Sequence, residues 1–262
     1  MFVNLPGLVA VAFALVAFFA AWAYGRRRLG AAKRLLLLGV FGLLSILSIL
    51  FAIYYLHVLP ETEWFYELRA VRGSEFLAVF AGAAGGFFAS LLPRLLLALP
   101  LAGVIGLVLL PYAKPLLSPL DPSIIQDRWK DGACLQSTTS TCGPASLCTI
   151  LRSFGMEGTE AEVARAAHSY TGGTEAWYLA RVAREKGLKA HFEFKDDDIE
   201  KAELPAIMGV RIGGYGHFIV VLGIMNGVVA FVDPLEGKHA VPIAEFRKRY
   251  SFTPFRLVVR GN

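Results

Sequence analysis

The sequence predicts an α-helical membrane region of about four transmembrane helices, followed by an α+β domain with an antiparallel sheet. Three observations carry that prediction. Apolar runs of spanning length fill the first 120 residues, helical periodicity takes over near residue 142, and two-residue alternation begins near residue 188. Composition agrees, since 55% apolar residues and a mean hydropathy of +0.53 are high for a soluble chain.

In order along the chain, residues 5–24 form the first apolar run, and Arg26, Arg27 and Arg28 follow it. A signal peptide carries its positive charge before the apolar core, so a span is expected here. Lys33 and Arg34 precede the second run, 35–56, which Tyr54 and Tyr55 close at the membrane interface. Residues 57–75 read as a polar loop with four Glu and two Arg. The next 38 residues, 76–113, are apolar except at Pro93-Arg94. An arginine in mid-bilayer costs about 2.5–3.5 kcal/mol, so a turn at Pro93-Arg94 and two spans, 76–92 and 95–113, are expected. Gly82 and Gly86 fit either a close helix crossing or a flexible glycine-rich helix. The membrane region is thus assigned to 1–116, a Pro-rich connector to 117–132 and the second domain to 133–262.

In the second domain, Leu147, Ile150, Leu151 and Phe154 recur at helical spacing after Cys142-Gly143-Pro144, and Gly155 stops the run. Ser140 or Thr141 is placed to cap it. Thr159 to Glu162 has the form of a capping box, and Thr174 is placed to cap a third helix ending near Gly187. Strands are expected at about 188–195, 205–211, 217–224, 228–233 and 255–260, with a short surface helix around Phe246.

Cys142 therefore opens a buried helix, where free amides and the helix dipole favour a negatively charged sulfur. A cysteine nucleophile also needs a base and an oxyanion donor. Gln136 is a neutral donor six residues upstream, His217 opens one apolar strand and Asp233 closes the next. For His217 and Asp233 to meet, they must share a face of their hairpin. A regular Asn226-Gly227 turn would put them on opposite faces, so an odd-length loop or a bulge before Asp233 is expected.

From about Ala133 to Phe252 the chain resembles the C39 peptidases, which cleave bacteriocin leaders after a double glycine. The resemblance rests on Gln136 before Cys142-Gly143, on Gly173-Thr174 leading a helix, and on Leu204-Pro205-Ala206-Ile207. It continues through Gly216-His217-Phe218, Val232-Asp233-Pro234 with Gly237, and Ile243-Ala244-Glu245-Phe246. The family usually has Asp just before the cysteine, where this chain has Thr141. The resemblance implies a papain-like fold and a membrane-anchored cysteine endopeptidase. Cys142 would be the nucleophile, His217 the base, Asp233 its orienting partner and Gln136 the oxyanion donor, acting on secreted or membrane-associated peptide or protein substrates. Two other readings fit the same residues: a silent module that binds leader segments, and an acyl transferase working through a thioester.

Other functions find no support. Residues 1–120 hold nine basic and four acidic side chains, whereas 121–262 hold seventeen of each, so the basic excess belongs to the membrane half and not to a nucleic-acid surface. Neither GxxxxGK nor GxGxxG occurs, so no ATP-binding domain is expected in the chain. Cys134, Cys142 and Cys148 lack zinc spacing, and no metal or cofactor is expected. Cys148 reads as a core residue, able to pair with Cys134 in an oxidising compartment. His57, His168, His191 and His239 read as structural or solvated. The five basic residues between 26 and 34 mark a cytoplasmic loop. With four spans, this places a multi-pass protein in a bacterial inner membrane, with its second domain on the periplasmic or extracellular side.

Overall fold

The computed structural model describes residues 2–56, 58–196 and 198–261, so His57 and its expected place at a membrane edge lie outside the described residues. In chain order the helices are α1 (Leu5–Arg28), α2 (Ala31–Leu44), α3 (Ile46–Tyr55), α4 (Glu63–Ala70), α5 (Ala78–Leu91), α6 (Ala98–Leu109) and α7 (Ala113–Leu117). Helices α8 (Cys142–Ser153), α9 (Glu160–Ala166), α10 (Ala176–Glu185) and α11 (Ile243–Arg249) follow. Strands are β1 (Arg128–Lys130), β2 (Ala133–Leu135), β3 (Lys189–Phe194), β4 (Ala206–Ile212), β5 (Tyr215–Met225), β6 (Val228–Asp233), β7 (Gly237–Pro242) and β8 (Ser251–Arg260). These divide into two compact units.

One unit comprises Asn4–Glu61 and Arg72–Leu117. Three of its helical stretches, Leu5–Arg28, Ser74–Leu91 and Arg94–Leu117, are long and apolar enough to cross a membrane. The α2–α3 pair, bent by 44° around Ser45, makes a fourth if it acts as one span. Gly82 and Gly86 of α5 lie against the carbonyls of Ala14 and Phe18 on α1, where a Cβ would clash with backbone. This settles their role as a close helix crossing. Phe41 of α2 stacks on Phe87 of α5 with centroids 5.6 Å apart. The Arg26 and Arg34 guanidiniums donate to the carbonyls of Leu92 and Ser90, at 2.8 and 2.9 Å, which satisfies the open end of α5.

The other unit comprises Met1–Val3, Thr62–Val71 and Ser118–Asn262. Its core is a six-stranded antiparallel sheet in the order β3-β8-β4-β5-β6-β7, with β1-β2 as a separate pair. Helix α8 packs on β5, where the Ser146 hydroxyl donates to the Phe218 carbonyl at 3.4 Å. Met208, Ile219, Val221, Phe231, Phe246 and Val258 fill a core beneath α11. The expected strands are all present. The sheet also contains β7, and the longer reaches of β5 and β8 exceed expectation. The Thr159 capping box forms with both of its bonds. By contrast, Thr141 precedes α8 without capping it, and its hydroxyl bonds Thr138 instead. Glu175, not Thr174, occupies the N-cap of α10, because Thr174 shares its hydroxyl with Ser169 at 2.6 Å.

Two segments differ from the expected organisation. Residues 118–132 are not a bare connector, since Leu120 is buried and β1 pairs with β2. Residues 57–75 are not simply a polar loop, since α4 folds onto the second domain. Tyr66 lies 5.1–5.2 Å from the rings of Trp177, Phe192 and Phe194. Glu67 and Glu63, one turn apart, accept from the amides of Phe192 and Phe194 at 2.8 and 3.1 Å. Because β3 is an edge strand, these carboxylates satisfy amides that would otherwise offer a pairing surface.

Candidate active site

Cys142 is the first residue of α8 and is 8% exposed. The segment before it is pinned at both ends. Gln136 donates its amide to the Pro234 carbonyl at 2.9 Å, and its own carbonyl accepts from Arg128 at 2.8 Å. Buried Glu160 accepts from the Ser137 amide and hydroxyl at 2.8 and 2.5 Å. The Ser140 hydroxyl donates to the Thr171 carbonyl. Five small polar residues thus form a rigid lead into the helix.

The β5–β6 hairpin solves the facing problem with a bulge. Asn226 and Gly227 form a two-residue turn at φ 52° and 75°, pairing Met225 with Val228. Between Val221 and Gly223 the register shifts, leaving Leu222 as an extra residue, after which Val220 pairs with Val232. That one residue restores His217 and Asp233 to a common face. The His217 Nε2 lies 2.8 Å from Asp233 Oδ1. As the carboxylate can only accept, Nε2 carries the proton and Nδ1 is left for Cys142.

Electrostatics follow from that geometry. Burial disfavours charge on His217, but hydrogen bonds to Asp233 and Cys142 and their negative charge outweigh it, raising its pKa to about 9. Burial likewise opposes charge on Asp233, which is 1% exposed. Donors from His217, the Leu235 amide and the Tyr250 hydroxyl overcome this and hold its carboxyl below the usual range. Those donors lie at 2.8, 2.9 and 2.7 Å.

Gln136 is 6% exposed, and its Nε2 donates to the Thr138 carbonyl at 2.7 Å. One amide hydrogen is therefore committed and the second is free to face a ligand. Its Oε1 is buried with no partner among the described residues.

Cys134 and Cys148 are buried free thiols. The adjoining Cys134 thiol and burial push the Cys148 thiol well above its ordinary pKa, which makes it a poor nucleophile. His191, Glu193 and Glu203 bring one ligand atom each within 4.8 Å of the others. Lys195 and Arg256 already neutralise Glu193 at 2.6 and 3.7 Å, and Arg260 pairs with Glu203, so the group reads as an ion-pair network. A cavity of about 380 Å³ beside Phe246, Phe252 and Arg256 contains none of Gln136, Cys142, His217 or Asp233. Sequence reasoning missed Glu160 and Tyr250. Glu160 stood inside a capping box, and Tyr250 followed a basic run that masked it.

Residues 131–259 match the model of the Peptidase C39 family. The chain is 34% identical over 108 residues to an uncharacterised protein of Methanothermobacter thermautotrophicus, covering 41% of this chain and 74% of that one. It is 28% identical over 135 residues to the probable functional amyloid protease FapD of Pseudomonas aeruginosa, covering 48% of this chain and 60% of FapD. Among solved structures, a double glycine motif protease from an AMS/PCAT transporter, in complex with its leader peptide, aligns with a TM-score of 0.44. Identity there is 24%, over 50% of this chain and 91% of that one.

Proposed function

Because the chain belongs to the peptidase C39 family, we propose that it is a membrane-anchored cysteine endopeptidase acting on peptide or protein substrates through Cys142, His217 and Asp233. The observation that carries this reading is the buried His217–Asp233 pair at 2.8 Å, joined through the imidazole to Cys142 at the start of α8. Cys142 attacks the substrate carbonyl, and the His217 imidazole holds its proton. Negative charge gathers on the carbonyl oxygen, which the Cys142 amide and the second Gln136 amide hydrogen accommodate. Collapse of that intermediate breaks the C–N bond as His217 protonates the departing amine. Water then hydrolyses the thioester, with His217 again taking the proton. Asp233 fixes the tautomer and steadies the imidazolium throughout.

Incubating the purified protein with a panel of peptides, some containing Gly-Gly, and weighing the products tests the reading. Cleaved masses absent with Cys142→Ala support it. Unchanged bound peptide would favour a silent binding module, and products joined to an added amine would favour acyl transfer.

The peptidase unit is proposed to face the periplasm or cell exterior of a bacterial inner membrane. Thr62–Val71 folds into the same unit as Ser118–Asn262. This supports an even number of crossings in residues 72–117, the parity on which the assignment depends. Arg26, Arg27, Arg28, Lys33 and Arg34 then select the cytoplasm for the α1–α2 loop. In a Cys142→Ala background with Lys238→Cys, a membrane-impermeant maleimide should label intact cells. Labelling only after lysis would reverse the orientation.

A further inference from the structure

Asp233 is held by more than its histidine. Its Oδ1 takes two donors, from His217 Nε2 at 2.8 Å and from the Leu235 amide at 2.9 Å. Both pull on the same oxygen, and a carboxylate fixed at one oxygen can still rotate about its Cβ–Cγ bond. The second oxygen is fixed by the Tyr250 hydroxyl, which donates to Oδ2 at 2.7 Å. Tyr250 stands just past the end of α11, and its ring is itself clamped. Phe231, Phe246 and Phe252 surround it edge-on at centroid separations of 6.1, 6.3 and 6.0 Å. The Arg249 guanidinium lies 5.9 Å from its ring and pairs with Glu236.

We propose that Tyr250 is a positioning residue for the peptidase, locking the Asp233 carboxylate in the plane that aligns the His217 imidazole with Cys142. The proposal rests on the reading of Cys142, His217 and Asp233 as the reacting set. Tyr250 touches no reacting atom and acts only through Asp233. Burial and the adjoining carboxylate both push the phenol's pKa up, so it stays protonated and remains a donor across the range in which cysteine peptidases work. The charged and titratable groups around Asp233 are His217 on β5, Tyr250 and Arg249 at the end of α11, and Glu236 with His239 on the far side. Tyr250→Phe removes one hydroxyl and leaves every other member, and the aromatic clamp, in place.

With the donor gone, the ionised form of Asp233 loses a hydrogen bond and its protonation moves to higher pH. Support for the imidazolium is lost earlier on acidification. In the full-length protein, Tyr250→Phe should lower kcat by about tenfold, the scale of one hydrogen bond to a charged group, with KM changed less than about twofold. The acid limb of the activity profile should rise by about one pH unit. A second measurement needs no substrate: the rate at which iodoacetamide alkylates Cys142 as pH is varied should show the same upward shift of its acid limb. Activity that falls equally at every pH, with an unmoved alkylation profile, would reduce Tyr250 to packing and overturn the proposal, as would kinetics identical to the parent. A parent protein that cleaves nothing while its Tyr250→Phe variant still shifts the alkylation profile would sink the peptidase reading and leave the positioning role standing.

Discussion

Two networks of hydrogen-bonded polar groups sit on the same sheet, one at the β5–β6 hairpin and one at the β3 edge, and they end differently. At the hairpin, Tyr250, Asp233 and His217 form a line that terminates on a sulfur at the start of α8. At the edge, Glu63 and Glu67 of α4 terminate on backbone amides of β3, and Arg184 neutralises Glu67 at 2.5 Å. Arg69, 1% exposed, donates to the Tyr178 hydroxyl at 3.2 Å and lies 5.5 Å from the Trp177 ring, while its carbonyl accepts from Arg181. Burial and pairing alone therefore do not mark an active site. What separates the two networks is whether the last partner is a thiol or a satisfied backbone group.

Substitutions sharpen that contrast. Cys142→Ala should abolish turnover with a melting temperature close to the parent's, because alanine is a good helix residue and the lost sulfur is small. Loss of folding together with activity would make Cys142 a core residue like Cys148. Tyr66→Ala should do the reverse. Removing a fully packed ring costs about 3–5 kcal/mol, so unfolding should come far earlier in denaturant while the folded fraction keeps its kcat. Unchanged stability would show that α4 contributes nothing to the peptidase unit.

Titration separates the networks too. The His217 pKa is raised to about 9, so its charged pair with Asp233 stabilises the fold fully below the ordinary histidine value of about 6.5 and loses that contribution as pH rises through 9. Asp233 is depressed, so its share is present above the ordinary aspartate value of about 3.9 and lost as pH falls below it. Activity and stability should thus decline together on the alkaline side near pH 9. Asp233→Asn should pull that limb toward lower pH, and an unmoved limb would separate Asp233 from the imidazole. The smallest effect is expected at the edge. Glu67→Gln keeps an acceptor for Phe192 but weakens the pair with Arg184, costing about 0.5–1 kcal/mol without moving the pH profile.

The hairpin network was more legible in the sequence than the edge network, for a physical reason. Cys142 and His217 stand where local periodicity begins, and the alternation of β5 and β6 demanded an irregularity that Leu222 supplies. Helix α4 carries no such local signal. Its eight residues mix three charged side chains with five apolar ones over about two turns, and its partners lie far along the chain, with Arg69 and Tyr178 separated by 109 positions. The three-residue strands β1 and β2 likewise owe their form to pairing with each other. Tyr250 was missed because its role depends on α11 ending beside Asp233, which no spacing encodes.

Inactivation by iodoacetamide, followed by peptide mapping of the modified cysteine, tests the assignment of the nucleophile most directly. All three cysteines are buried free thiols, so burial alone does not choose among them. Loss of peptidase activity should track carboxamidomethylation of Cys142 one for one, with Cys134 and Cys148 unmodified in the folded protein. Inactivation that tracks Cys134 or Cys148 while Cys142 stays unmodified would contradict the account.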